Sequence, residues 1–172
     1  SHYAAPTMCI ADQRIAHEAA QRYFAEIMMP FRTALRKNIE KIETLPIDLI
    51  APSHGFIYDK PAFILNAYND WTSDTVKNEV MIPYNSMHGS TKKLVDHLVD
   101  ALQNRGIVVK QFNMADTDLG KVAVALVDAA TIVLGCSGVL AGAHPNIAHA
   151  AFVTNALRPK TKFVSIIGSY LW

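Results

Sequence analysis

From residue 80 onward, short apolar runs alternate with longer amphipathic segments, and nothing else in the chain constrains the fold as tightly. The runs 80-VMIPY-84, 107-IVVKQF-112, 131-TIVLG-135 and 162-KFVSIIG-168 have the length and residue types of buried strands. Between them, 91–105, 118–129 and 146–157 carry apolar residues at helical spacing. Leu94, Val95, Leu98, Val99 and Leu102 fall on one face of the first of these helices. Gly106 is placed to end it, and Pro145 sits in the first turn of the third. Strands joined by helical crossovers of this length run parallel. The spacing therefore predicts an α/β fold with a doubly wound parallel sheet, and ligands of such sheets bind outside the carboxyl ends of the strands.

The chain before residue 80 is mainly helical. The segment 12–29 reads as a helix capped by Asp12 and interrupted by Pro30, and 31–45 as a second helix. The run 47-IDLIA-51 reads as a buried strand ending in the turn 52-PSHG-55, 60–71 as a third helix, and 72–79 as a polar linker.

Composition excludes several classes. The 172 residues are 51% hydrophobic and 18% charged, with a formal net charge of +1. No stretch reaches the roughly 20 apolar residues of a membrane span, no signal peptide opens the chain, and no basic stripe suggests nucleic acid. Cys9 and Cys136 read as reduced thiols, which with the rest predicts a cytoplasmic protein without membrane or nucleic-acid partners.

The turn after the first strand of the alternating region, 84-YNSMHGSTKKL-94, is rich in hydroxyl groups and feeds directly into a helix. The free amides of a helix N-terminus attract a phosphate, hydroxyls add donors, and Gly89 permits close approach of the backbone. The same residues also suit a plainly capped helix, with Ser90 or Thr91 as the cap. Neither a Walker loop nor GxGxxG is present. Two further strand ends, 135-GCSGVLAGAHP-145 and 168-GSYLW-172, are expected at the same edge, one glycine-rich and one aromatic. A phosphate turn with two such loops suits flavin mononucleotide (FMN).

Taken in order, YNSMHGST, LGCSGVLAGAHP and GSYLW resemble the flavodoxin-type domain of the flavodiiron proteins, whose loops read roughly YDSMxGST, GSPTxNNGxxP and GSxGW. Upstream, 51-APSHGFIY-58 and 23-YFAEIMMPF-31 resemble the end of that family's metallo-β-lactamase-like domain. The resemblance covers the whole chain. It implies residues 1–75 as the last part of a diiron domain with its linker, and 80–172 as a flavodoxin-like FMN domain without its last strand and helix. Such a sheet would expose an apolar edge, and the chain is expected to be a segment of a longer polypeptide.

The resemblance also implies roles for single residues. Ser86, His88, Gly89, Ser90 and Thr91 match the phosphate loop, with His88 at a variable position where an exposed loop histidine is an equal alternative. Cys136, Ser137, Gly138, Val139 and Gly142 fall on the first ring-flanking loop, where Cys136 stands for Ser, Ser137 for Pro, Gly138 for Thr and Ala141 for Asn. Ser169, Tyr170 and Trp172 match the second, in which an aromatic would stack on the ring. His54 matches a terminal iron ligand; read without the family, a lone histidine in SHG is more often structural. The other ligands, including an HxExDH motif, do not occur in the chain, whereas His2 and His17 match no ligand.

The family implies FMN and two non-haem irons, reduction of dioxygen to water or of nitric oxide to nitrous oxide, and a head-to-tail homo-oligomer. Electrons would come from a rubredoxin-like protein or a reduced deazaflavin. Two other readings stay open at this point: a flavodoxin-like electron carrier, and an α/β module that binds no flavin.

Overall fold

The computed structural model describes residues 12–170, which divide into two compact units at Asp74/Thr75. Cys9, His2, Leu171 and Trp172 lie outside the described residues. Among the described residues no helix is long and apolar enough to cross a membrane.

The first unit is helical. Helix α1 (Gln13–Tyr23) starts where the Asp12 carboxylate accepts from the amides of Arg14 and Ile15. Pro30 does not break the chain here, contrary to the sequence expectation. A π turn (Phe24–Met28) and a 3-10 turn (Met29–Phe31) carry the backbone without a gap into α2 (Arg32–Ile42). The Met29 amide reaches back to Phe24 O, so the helix widens just ahead of the residue that has no N–H to donate. Helix α3 (Pro61–Thr72) begins with proline at its first position. Phe24 stacks on Trp71 at 5.5 Å and meets Tyr68 edge-on at 5.8 Å, and His17 packs edge-on against Trp71 at 5.1 Å. Burying rings such as Phe24 and Trp71 contributes on the order of 1.5–3 kcal/mol each.

The predicted strand over 47–51 does not form. Only Ile50 pairs, in an isolated antiparallel bridge with Tyr58. With no neighbouring strand, the remaining backbone groups of that run have no ladder to join. At the other end of the unit, Arg36 donates to Thr72 O and Asp74 Oδ2, and Arg32 donates to Ser73 O at 2.8 Å and Asp74 Oδ1 at 2.9 Å. Two guanidinium groups thus cover the carbonyls at the carboxyl end of α3, where the helix dipole favours positive charge.

The second unit contains strands β1 (Lys77–Tyr84), β2 (Val108–Asn113), β3 (Ala129–Val139), β4 (Gly142–Ala143) and β5 (Phe163–Ser169). Helices α4 (Ser90–Gln103), α5 (Leu119–Leu126) and α6 (Pro145–Leu157) connect them. The four long strands pair in parallel in the order β2-β1-β3-β5. This is the flavodoxin-like doubly wound order, with the reversal of winding between β1 and β3. Val80, Ile82, Tyr84 and Val133 form one buried face with Val95 and Val99 of α4. The outer strand β5 leaves Phe163, Val164 and Ile166 exposed at 67%, 66% and 69%, an open apolar edge of the kind the sequence predicts.

Two strands start more than one residue away from the sequence reading. Strand β1 starts at Lys77, inside the predicted linker, and β3 starts at Ala129, inside the predicted helix 118–129. Both follow from one contact. Lys77 N donates to Asp128 O at 2.8 Å and its ammonium bonds Asp128 Oδ2 at 2.7 Å, so the two strands engage before either apolar run begins. The Asp128 side chain is 7% exposed and also faces the buried Lys160 ammonium at 3.8 Å.

Candidate functional site at the carboxyl edge of the sheet

The turn between β1 and α4 builds the first wall. Gly89 adopts φ +85 just before the helix, a left-handed conformation that other residues rarely hold. The Ser86 hydroxyl accepts from the amides of Gly89 at 3.1 Å and Lys92 at 3.2 Å, which fixes the turn across the start of the helix. Thr91 is buried at 1% exposure, and its hydroxyl lies 2.9 Å from that of Ser169 at the end of β5. His88 and Ser90 are exposed on the rim.

The stretch read as a glycine-rich loop is instead strand and hairpin. Strand β3 continues through Cys136, Ser137, Gly138 and Val139, then turns back, so that Gly138 pairs with Ala143 and Val139 with Gly142. Leu140 and Ala141 form the tip with φ 48 and φ 58, both left-handed without being glycine. Leu140 is 95% exposed there. The fold of this segment follows from pairing on its other flank, since Cys136 and Ser137 lie in register with Gly168 and Ser169 of β5. A side chain at Gly168 would meet Cys136 O at 2.2 Å, so the two backbones approach as closely as only glycine allows.

Cys136, Gly138, Ala141 and Gly142 of the hairpin, with Ile166, Gly168, Ser169 and Tyr170 beside them, line an open cleft of about 410 Å³. Its walls present mostly backbone and small side chains, with the Tyr170 ring 77% exposed at one end. The Cys136 thiol points its hydrogen to Ser137 O at 3.3 Å. The Ser137 hydroxyl is buried and has no hydrogen-bond partner among the described residues. Trp172, the third expected member of the aromatic loop, lies outside the described residues.

His144, placed by the sequence in the flavin loop, has a structural task that the sequence reading did not give it. His144 caps α6, its Nδ1 accepting from the Asn146 amide at 3.2 Å while its own amide donates to Ser137 O at 3.2 Å. The signal was present, because a polar residue directly before proline at a helix start is a capping position.

The helical unit holds a second concavity of about 340 Å³, lined largely by Ala16, Ala20, Ile39, Ile64, Tyr68 and, at its mouth, His54. Burial pushes the Tyr68 phenol up to about 12, and the Tyr58 phenol is raised by the same cause, so both hold their protons. His54 is exposed and lies 6.2 Å from the ring of Tyr23.

No family model matches the sequence. The chain is 32% identical over 164 residues to a nitric oxide reductase of Moorella thermoacetica, a match over 94% of this chain and 41% of that protein. It superposes on the rubredoxin oxygen:oxidoreductase of Desulfovibrio gigas with a TM-score of 0.91 at 25% identity, over 99% of this chain and 45% of that one. The chain belongs to the flavodiiron family. A flavodiiron protein from Giardia intestinalis shares the fold, with a TM-score of 0.91 at 22% identity over 99% of this chain and 43% of its own. The chain thus spans less than half the length of these relatives.

The two cofactors that the family implies fare differently against the residues present. A phosphorylated flavin suits the edge, where helix amides, the Thr91–Ser169 hydroxyl pair and the orphaned Ser137 hydroxyl converge beside a cleft walled by glycine backbone. For iron, no group of three or more His, Cys, Asp or Glu side chains among the described residues is arranged to hold a metal ion. His54 is the residue that the family pattern selects, and the described segment alone does not make a diiron centre.

Proposed function

We propose that this chain binds FMN at the carboxyl edge of the parallel sheet and serves an oxidoreductase that passes electrons to a non-haem diiron centre. That enzyme would reduce dioxygen to water or nitric oxide to nitrous oxide. The observation that carries the reading is the hydroxyl pair of Thr91 and Ser169, which joins the first turn of α4 to the end of β5 at the winding reversal of the sheet.

In this reading the amides of the first α4 turn, with the hydroxyls of Ser86, Ser90 and Thr91, hold the phosphate, and His88 lies on its rim. The backbone of Cys136, Gly138, Val139 and Gly142 borders one side of the ring. Ser169 and Tyr170 border the other, where the Tyr170 ring supplies an apolar face. Bound flavin would supply the one- and two-electron chemistry, while the chain supplies position and polarity. Few side-chain donors line the cleft, so the backbone amides of 136–142 provide the polarity that side chains supply in the family pattern. Residues 1–75 then belong to the diiron domain, His54 is one of its ligands, and the remaining ligands come from polypeptide beyond this segment. A rubredoxin-like protein or reduced deazaflavin is the proposed donor, in a head-to-tail homo-oligomer.

Titration of the flavin-free chain with FMN, read by flavin fluorescence, tests the proposal. Saturable quenching with one flavin per chain is expected. Fluorescence that stays at its free value throughout would overturn it.

A further inference from the structure

Ser137 was selected from the sequence only as part of a ring-flanking loop, and in the family pattern its position is proline. Three observations give it a different task. It lies within a strand, in register with Ser169. Its side chain shares a face of β3 with that of Gly135, and a Cβ on Gly135 would meet Val95 of α4 at 2.9 Å, so this face looks toward α4. The neighbouring Ser169 hydroxyl reaches Thr91 in the first turn of that helix, on the same side of the sheet. The Ser137 hydroxyl is therefore directed at the layer between the strand ends and the start of α4, on the face away from the Cys136 side chain, where Ser169 also borders the cleft.

That hydroxyl is 94% removed from solvent by residue exposure, which stands at 6%, and it bonds to nothing among the described residues. A buried hydroxyl left in this state lowers the stability of the fold, because its lost hydration is not replaced. Alanine would fill the same strand position without an orphaned hydroxyl, so packing does not explain the serine.

We propose that Ser137 contacts the phosphate end of the bound nucleotide, extending the Thr91–Ser169 pair into a row of three hydroxyls across the sheet end. This rests on the FMN reading above. The ligand class is a phosphate monoester carried on a polyol chain, and the hydroxyl donates to an anionic oxygen, the arrangement in which a hydrogen bond is strongest. Ser137 is thus a specificity residue for the phosphorylated flavin over its dephosphorylated form.

The test compares FMN with riboflavin, which lacks the phosphate, on the wild-type chain and on Ser137→Ala. The substitution should raise the Kd for FMN about tenfold or more and leave that for riboflavin unchanged. The flavin-free variant should melt no lower than the wild type, because a hydroxyl without a partner in the free protein has no bond to lose. Equal weakening of both flavins, no weakening of either, or a lower Tm of the flavin-free variant would each overturn the assignment. If the wild type binds no FMN, the proposed function fails by itself. Inorganic phosphate then becomes the probe: weaker phosphate binding by Ser137→Ala supports the role of this hydroxyl, and absence of phosphate binding to the wild type overturns it.

Discussion

The hydroxyls of Thr91 and Ser169 stand 2.9 Å apart although 78 positions separate them in the chain. One belongs to the first turn of a helix and the other to the last residue of the outermost long strand, so the bond closes the carboxyl edge of the sheet. Replacing Ser169 by Ala removes the bond and one donor. The FMN Kd is expected to rise about threefold to tenfold, measured by fluorescence titration. An unchanged constant would remove Ser169 from the site.

The hairpin tip carries a conformational cost that substitution should relieve. Leu140 and Ala141 both hold left-handed backbone, which costs residues with a Cβ roughly 1–2 kcal/mol each, and this turn shape favours Asn-Gly. The double variant Leu140→Asn, Ala141→Gly is expected to be more stable by about 1–2 kcal/mol, seen as a higher Tm. Since Leu140 is 95% exposed, little packing is lost in exchange. A lower Tm would show that the tip is held by interactions of the leucine.

Sequence periodicity made the second unit legible because each apolar run is long enough to be one strand and each crossover long enough to be one helix. The same reasoning failed at 47–51, where composition resembled a strand but no partner strand was available. It also failed at Pro30, where a π turn absorbs what a proline usually interrupts. At the candidate site, the turn between β1 and α4 was readable from hydroxyl content before a helix. The true form of 136–143 was not, since Leu140 and Ala141 give no turn signal and the hairpin depends on pairing that no local pattern records. The orphaned state of the Ser137 hydroxyl likewise depends on neighbours remote in the chain, whereas the cap at His144 is a local contact that the following proline signals.

Asp74 gives the helical unit a defined acid response. Hydrogen bonds from Arg36 and then Arg32 lower its pKa from the ordinary 3.8 to about 2. A depressed carboxylate stabilises the fold fully above its unfolded value, and this contribution is lost as pH falls through the folded value. Between pH about 4 and about 2 the wild type should therefore lose stability that Asp74→Asn, lacking the charge throughout, does not lose. Far-UV circular dichroism melts across that range would decide it; parallel slopes for the two proteins would show that the pair of arginines does not act on the carboxylate in solution.

Gly135 is predicted to be intolerant for a packing reason. A Cβ there would lie 2.6 Å from Tyr84 Cβ and 2.9 Å from Val95 Cγ2, atoms of the buried face under α4. Gly135→Ala should cost about 1–3 kcal/mol in chemical denaturation. Pairing it with Val95→Ala should return part of that loss, and a pair no better than the sum of the single changes would show that the clash lies elsewhere.

The contact between Gly168 and Cys136 O has a different kind of consequence, because what matters there is a missing atom. Strand β5 can slide along β3 only by placing another residue against that carbonyl. Its neighbours Ile167 and Ser169 both carry side chains, so a shift by one position in either direction meets a barrier. Such a shift would also turn every side chain of the strand to the opposite face. The glycine therefore acts as a detent: it sets the one alignment in which Ser169 arrives opposite Ser137 and within reach of Thr91. The site is assembled by register, and a single hydrogen atom in place of a side chain keeps the register.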